Sequence, residues 1–422
     1  MCPMAVPTDL TAAQAAALLP PGGRAFLAGC ASEPTAILNA VRDDPSLWRG
    51  VILTGAFIPG VNDWDFSALG QETKVETIFA TSGLLNPAGT VAHLPMHYSQ
   101  FWRRLGQPGF VDVVFLTIPP PRGDGTTGFG LACDFAPSPI AAGAKVVGII
   151  NPHMPDAPNG PRLPLKRFAG LVLAQDPLPT YDPGPIGADV AQIATHIVGL
   201  LREGDTLQLG LGKVQTAVLE ALARSSLSGL GFHAGMISPA LLEPLRRGVF
   251  SRGVVTGVAL GDAKFYAAVA GLPGLVFAPV GYTHDPGVLA RTPSFVSVNS
   301  VIEIDLFGQS NAEALDGRQV SGQGGLLDFH RAAREQAGGR AVLALASTAQ
   351  GGRTSRIVPR LPMGTPVSVA RADVDIVVTE HGMAHLGGLS LTERAHALIS
   401  LADPRHRDML REGLDDSRKI GR

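Results

Sequence analysis

The chain has 422 residues, of which 45% are hydrophobic and only 17% are charged. Lysine and arginine together number 34 against 36 aspartates and glutamates, so the formal charge is -2 and no block of like charge interrupts the sequence. This balance argues against nucleic acid or an anionic membrane as a partner, and the length predicts two domains with large buried cores.

Three cysteines, Cys2, Cys30 and Cys133, are scattered along the chain without a CxxC pair. Such spacing argues against a disulfide framework and against a cysteine-rich zinc site. No apolar stretch reaches 18 residues, and no basic segment followed by an apolar one stands at the N-terminus. We therefore expect a cytoplasmic protein without a bound metal, and the high apolar content predicts a homo-oligomer, either a dimer or a larger assembly.

The first half of the sequence alternates short apolar runs with helical patterns. Helices are predicted over residues 9–18 and 34–42. The strands predicted in this half are 24–28, 51–54, 75–79, 111–118 and 145–150. Residues 151–187 are rich in proline and glycine and lack periodicity, which predicts a loop or crossover and a domain boundary near residue 185.

A glycine turn opens the second half. The helical pattern of residues 186–201 is followed by the predicted strand 206–209, the turn Gly210-Leu-Gly-Lys and a helix over 214–224. Backbone N–H groups at such a turn can bind an anion, so Gly210 and Gly212 are candidate cofactor-binding residues. A tight turn without a ligand is the alternative interpretation.

The rest of the second half continues the alternation of strands and helices. Helices are predicted over residues 239–246, 391–401 and 404–410. The predicted strands are 254–260, 275–278, 341–345, 367–369 and 374–380. This pattern predicts two open α/β domains, residues 1–185 and 186–422.

Residues 297–329 carry the strongest site signal in the second half. Val298 to Leu306 alternates with β-branched residues as a strand does. Gly322, Gly324 and Gly325 follow within four positions, where the missing side chains allow close approach of a backbone or a ligand. An acidic strand that leads into a glycine loop indicates a site where a bulky cofactor meets a reacting carboxylate, although a plain strand and turn would give the same pattern.

Several motifs in a fixed order give the sequence a family resemblance. They are Gly29-Cys-Ala-Ser-Glu-Pro, His93-Leu-Pro, Leu207-Gln-Leu-Gly-Leu-Gly, Asn299-Ser-Val-Ile-Glu-Ile-Asp-Leu-Phe-Gly-Gln, Ser321-Gly-Gln-Gly-Gly-Leu-Leu-Asp-Phe and Thr379-Glu-His-Gly-Met-Ala-His-Leu. Over nearly its whole length the chain resembles the acetyl-CoA hydrolase/transferase family, which includes 4-hydroxybutyrate CoA-transferases.

The resemblance implies two CoA-transferase-type α/β domains with the active site in the cleft between them. It also implies acyl-CoA and a small carboxylic acid as substrates, within acetate and acyl-CoA metabolism. In that family a glutamate attacks the thioester to give an acyl anhydride and then an enzyme-bound CoA thioester, so that one difficult exchange becomes several easier steps. The glycine pair of the family loop corresponds to Gly324 and Gly325, whose backbone donors can stabilise an oxyanion.

The family nucleophile is absent from this chain. The family stretch Gly-x-His-Thr-Glu-Met reads here Gly-Phe-His-Ala-Gly-Met over residues 231–236, so Gly235 stands where the glutamate belongs. His284 takes the place of a family asparagine, and an imidazole with a pKa near 6.5 could activate water and turn transfer into hydrolysis. An ordinary loop histidine is the alternative. Glu303 is a further candidate carboxylate, unless it is only a partner in a buried network.

These observations predict an enzyme of acyl-CoA metabolism that moves CoA between an acyl-CoA and a carboxylic acid or hydrolyses the thioester. Two alternatives stay open at this point. One is an acyl-CoA lyase or decarboxylase that uses the same pocket, and the other is a non-catalytic CoA-binding protein.

Overall fold

The computed structural model describes residues 9–157 and 159–420, apart from the side chains of 416–420. The chain forms two large and mostly parallel β-sheets, one from each half of the sequence. This arrangement confirms the predicted α/β class. The first sheet ends at Leu173 and the second begins at Thr206, and the domain boundary near residue 185 stays a prediction.

The first sheet has seven strands that are all parallel. In spatial order they are Thr90–His93, Lys74–Thr77, Ile52–Gly55, Arg24–Leu27, Val113–Ile118, Lys145–Ile150 and Phe168–Leu173. All six residues of Val113–Ile118 are buried. An uninterrupted apolar run of this kind is typical of a parallel strand that is covered on both faces.

The second sheet has eight strands, and only the pair at one edge is antiparallel. In spatial order they are Leu275–Phe277, Val254–Thr256, Gly231–His233, Thr206–Leu209, Phe295–Ser300, Arg340–Ala344, Ile376–Thr379 and Gly382–His385. Because all of these strands except Gly382–His385 run in one direction, their carboxyl ends and the loops that follow them gather at one edge of the sheet.

Helices and short strand pairs complete the fold. The α-helices are Ala12–Ala16, Thr35–Asp43, Tyr98–Leu105, Pro137–Ala141, Ala188–Leu200, Lys213–Arg224, Leu242–Arg246, Ala263–Val269, Val280–Thr283, Pro286–Ala290, Leu326–Glu335, Leu391–Leu401 and Arg407–Ile420. The strands outside the two large sheets are Thr126–Gly128, Arg162–Pro164, Met236–Ile237, Val258–Ala259, Glu303–Asp305, Ser310–Asn311, Ala314–Leu315, Arg318–Gln319, Thr348–Ala349, Thr354–Ser355 and Ile357–Val358. No helix in the described ranges combines the length and apolarity needed to cross a bilayer.

Three sequence predictions about strands were wrong. The segment 151–187 is not all loop, because Phe168–Leu173 forms an edge strand of the first sheet whose short apolar run is hidden among prolines. The run 298–306 is not one strand, since the chain leaves the large sheet after Ser300. Residues 367–369 form no strand, and Val369 makes only an isolated bridge to Ser310.

The glycine loop 321–325 joins the two halves of the molecule through backbone contacts. A Cβ atom added to Gly322 would lie 1.9 Å from the carbonyl oxygen of Ile78, which follows a strand of the first sheet. The N–H of Ala80 donates to the carbonyl oxygen of Ser321 at 3.3 Å, and the N–H of Tyr98 donates to that of Gly324 at 3.2 Å. Only glycine permits this separation at position 322.

We predict that Gly322→Ala will lower the free energy of unfolding by about 2 kcal/mol, because the added methyl group must push the glycine loop away from the first sheet. Thermal and urea unfolding measure this change. Gly123→Ala is the matched control, since a Cβ there would meet no atom within 4 Å. Equal stability of the two variants would contradict the proposed packing constraint.

Candidate active site

A cavity of about 340 Å³ lies where the carboxyl ends of strands in the second sheet face loops of the first half. Gly210 lines it and directly follows the strand Thr206–Leu209. Ser300 also lines it and ends the neighbouring parallel strand. Ile58, Phe79 and Tyr98 line it from the first half. Parallel sheets bind ligands at this edge, so the position is the one expected for a site.

Gly235 and His284, the two positions at which the sequence departs from the family pattern, meet in this cavity. A Cβ added to Gly235 would lie 3.1 Å from Cε1 and 3.4 Å from Nε2 of His284. The imidazole therefore borders the space into which a longer side chain at position 235 would extend. The two departures are physically coupled, because a larger residue at 235 would require the ring to move.

His284 is held on both sides and is only 2% exposed. Its Nδ1 lies 2.9 Å from the hydroxyl oxygen of Thr283. Its ring packs against the rings of Tyr98 and Phe329, with centroids 4.9 and 4.3 Å away. Burial, with a smaller contribution from nearby His233, holds the pKa of His284 well below its usual value of 6.5, so the imidazole is neutral at pH 7.

The glycine loop brings backbone close to the same imidazole. A Cβ added to Gly325 would lie 2.3 Å from Nε2 of His284, so position 325 must be glycine for the ring to sit where it does. Gly324 has a φ of 55° and Gly325 has a φ of -89°. Successive backbone N–H groups in such a turn form a concave binding site for negative charge. Within the described chain, the N–H groups of Gly324 and Gly325 have no hydrogen-bond acceptor.

Another part of the cavity lining is a cluster of amides around Gly210. The side chain of Asn299 donates to Gln208 at 3.1 Å and to Ser297 at 2.9 Å. A Cβ added to Gly210 would lie 3.2 Å from Oδ1 of Asn299, so the missing side chain leaves this wall open. Gly212 lies in a small recess beside the cavity and not in its lining.

Gln215 belongs to the amide cluster, but the sequence analysis did not identify it. Its side chain is 4% exposed, and its Nε2 lies 3.2 Å from the hydroxyl oxygen of Ser300. Its Oε1 is buried without a hydrogen-bond partner. A buried acceptor without a partner is unfavourable by roughly 1–3 kcal/mol, and this oxygen lies on the side of Gly212, where an added Cβ would be 3.3 Å from it.

Glu303 does not reach the cavity. Its carboxylate accepts from Nδ2 of Asn311 at 2.9 Å in a small separate sheet, as expected for a network partner. Glu33 accepts from Nδ2 of Asn62 at 2.8 Å, and Glu380 binds Ser347. None of the side chains that line the cavity in the described chain is charged.

Asp134 is a buried carboxylate behind the cavity wall that the sequence analysis also missed. Its Oδ1 accepts from the N–H of Phe135 at 2.7 Å. Its Cβ packs near Gly257, whose own N–H donates to the carbonyl oxygen of Gly235. Burial raises the pKa of Asp134 to about 6. The sequence offers no signal for this position, because Asp134 lies outside every strand or glycine pattern that was recognised.

The candidate site has no arrangement suited to a metal ion. Among the residues that the structure describes, no group of three or more histidine, cysteine or acidic side chains is placed to hold one. Cys30 and Cys133 are free and buried, and burial raises the pKa of both thiols well above their usual value. Cys2 lies outside the described residues.

Comparison with known proteins gives a consistent result across sequence and structure. The family model of the acetyl-CoA hydrolase/transferase C-terminal domain matches residues 261–414. The 4-hydroxybutyrate coenzyme A transferase of Clostridium kluyveri is 30% identical over 95% of this chain and 96% of its own length.

Two solved structures have the same fold over nearly the whole chain. RipA from Yersinia pestis superposes with a TM-score of 0.89 at 27% identity and covers 97% of both chains. The 4-hydroxybutyrate CoA-transferase from Porphyromonas gingivalis superposes with a TM-score of 0.80 at 26% identity, again over 97% of both chains.

We predict that Asp134→Asn will stabilise the protein in a pH-dependent way. A carboxyl group with a raised folded pKa favours the folded state at low pH, and this contribution is lost as the pH rises from about 4 to about 6. Above pH 6 the variant should therefore be more stable than the wild type by about 3 kcal/mol, since asparagine keeps the acceptor for Phe135 and carries no charge.

Urea unfolding between pH 4 and pH 8 measures this effect. Asp316→Asn, which removes one charge at an exposed position, is the control and should show a much smaller dependence on pH. A constant stability difference between Asp134→Asn and the wild type over this range would contradict the prediction.

Proposed function

The chain belongs to the acetyl-CoA hydrolase/transferase family, and we propose that it hydrolyses acyl-CoA thioesters directly in the cavity around His284. Family membership makes it an enzyme of acyl-CoA metabolism that carries out CoA transfer or hydrolysis. The same relatives do not favour a lyase or a non-catalytic binding protein. Homo-oligomerisation and a cytoplasmic location stay predictions from the composition.

The choice of hydrolysis over covalent CoA transfer rests on one observation. The covalent route needs a carboxylate that attacks the thioester, and the described cavity lining has none. Position 235 is glycine, and a neutral imidazole borders the space beside it. A water molecule is small enough to occupy that space, and the imidazole is the one group there that can accept its proton.

His284 acts as the general base in this proposal. With Nδ1 bound to Thr283, Nε2 faces Gly235 and the glycine loop. Nε2 takes a proton from water while the water oxygen bonds to the thioester carbonyl carbon. The same proton then passes to the sulfur as the carbon–sulfur bond breaks, which releases a carboxylic acid and the CoA thiol.

Backbone donors of the glycine loop stabilise the negative charge that develops on the carbonyl oxygen. The N–H groups of Gly324 and Gly325 lack other acceptors and lie beside the imidazole. Fixed donors of this kind need no rearrangement during the reaction, which is why they stabilise a transition state more than a mobile side chain would.

The amide cluster receives the pantetheine arm of CoA. This arm carries amide groups, and the side-chain amide of Gln215, which lines the cavity, is of the matching kind. Gly210 leaves the wall open beside it, and Gln208 and Asn299 offer further amide groups. The residues present therefore fit a CoA thioester whose reacting carbonyl lies toward His284.

We predict that the wild-type protein releases free thiol from acyl-CoA without an added acid, and that His284→Gln lowers kcat by about 100-fold or more because the base is lost. A thiol-detection assay measures this release. His330→Gln is the matched control, since His330 is a fully buried histidine outside the cavity lining. If acetate were required for turnover and its CoA ester accumulated, CoA transfer would be the reaction.

The pH profile provides a second check on the role of His284. The imidazole accepts a proton only in its neutral form, and its lowered pKa keeps it neutral well below pH 6.5. We therefore expect kcat/KM to stay constant from pH 8 to pH 6.5 and to fall only in more acidic solution. A fall centred at pH 6.5 would show that a histidine with an ordinary pKa controls the reaction.

We predict that Gly235→Glu alone will not restore the covalent family mechanism, because its side chain would meet the ring of His284. The double variant Gly235→Glu/His284→Asn makes room and supplies the carboxylate, so it should form an enzyme-bound CoA thioester. Borohydride reduces such a thioester to a primary alcohol on the side chain at position 235 with release of CoA, and mass spectrometry detects that alcohol. An adduct on the single variant, or on neither, would contradict the coupling of the two positions.

A further inference from the structure

We infer that the cavity accepts acyl groups without a charge, and that it rejects thioesters of dicarboxylic acids such as succinyl-CoA. The inference deepens the proposed function and rests on it for the position of the thioester. It is carried by the chemistry of a group of apolar side chains in the cavity lining, which come from both halves of the chain.

These apolar side chains share one buried cluster. Ile58, Phe79, Tyr181, Leu211 and Met236 line the cavity and pack on that cluster, which we call the apolar wall. The amide groups of the cavity are gathered around Gly210. A bound thioester can therefore place its pantetheine arm against the amides and its acyl group against the apolar wall.

No cation faces the acyl end. In the described part of the chain the cavity lining contains neither lysine nor arginine, and His284 is neutral at pH 7. Lys213, the basic residue of the glycine turn, lies against Gly184 outside the lining. A carboxylate at the far end of an acyl chain would lose its water without gaining an ion pair.

Two carboxylates lie behind the part of the apolar wall that packs on Cys30. Cys30 belongs to the cluster under this wall, and both Asp134 and Glu33 are close enough to raise the pKa of its thiol. Asp134 also raises the pKa of Tyr98, which lines the cavity. A second carboxylate on the substrate would therefore be repelled as well as desolvated.

The test compares three thioesters that are matched in the shape of the acyl chain. Succinyl-CoA carries a terminal carboxylate, the CoA thioester of succinic monoamide carries a neutral amide, and 4-methylpentanoyl-CoA carries a methyl pair in the same place. We expect kcat/KM to be about 100-fold higher for 4-methylpentanoyl-CoA than for succinyl-CoA, with the monoamide also above succinyl-CoA. The monoamide separates the effect of charge from that of hydrophobicity.

A variant with a cation added to the cavity lining should gain activity toward succinyl-CoA, and a neutral variant at the same position is its control. Met236→Lys keeps an unbranched chain in the cavity lining and adds an ammonium group, whereas Met236→Leu adds none. We expect the lysine variant to lower the ratio of kcat/KM for 4-methylpentanoyl-CoA to kcat/KM for succinyl-CoA by at least about tenfold. The leucine variant should leave this ratio unchanged. Because the preference is a ratio within one enzyme, a general loss of activity does not affect it.

The outcomes separate this inference from the proposed function. Equal or better turnover of succinyl-CoA by the wild type would overturn the inference while leaving hydrolysis intact. If no thioester were hydrolysed, the proposed function would fail. The dissociation constants of the three thioesters, measured by calorimetry, would then test the inference about the acyl group. Weaker binding of succinyl-CoA than of both neutral thioesters would sustain the inference, and equal binding would overturn it.

Discussion

The site depends on the close approach of two backbones. The glycine loop of the second half lies so near to the first sheet that a single methyl group at Gly322 would overlap the carbonyl oxygen of Ile78. This contact places Gly324 and Gly325 beside His284 and closes one side of the cavity. Protein interiors transmit small displacements because they are densely packed, so the geometry of the loop fixes the position of the N–H groups of Gly324 and Gly325 in the cavity lining.

Positions 235, 284 and 325 form one steric unit. The imidazole of His284 borders space beside Gly235 and needs a glycine at 325 to remain there. Its burial keeps it neutral, which matches a cavity whose described lining has no charged side chain. Within a family whose covalent route needs a carboxylate, we propose that this unit supplies a base and room for water. The proposed acyl end of the cavity is lined by apolar side chains and is likewise without charge.

Much of the fold was predictable from the sequence, because buried parallel strands such as 113–118 and 145–150 are uninterrupted apolar runs. The meeting of Gly235 and His284 was also predictable, since both positions depart from the family pattern. The break after Ser300 was not, because the strand pairings on either side of it are made with residues far along the chain. The positions of Gln215 and Asp134 near the cavity were not predictable either, because their burial depends on contacts between distant parts of the chain that local sequence patterns do not encode.

The hydrolysis that we propose for a chain with glycine at position 235 has a consequence for energy conservation. An enzyme that forms an acyl anhydride can convert one thioester into the thioester of a second acid. Because both thioesters have similar free energies of hydrolysis, such an exchange is reversible. A chain that delivers the acyl group to water forms no second thioester, so the energy dissipates as heat and the reaction runs one way. The paired residues at positions 235 and 284 would therefore separate a reversible exchange of CoA from an irreversible loss of acyl-CoA.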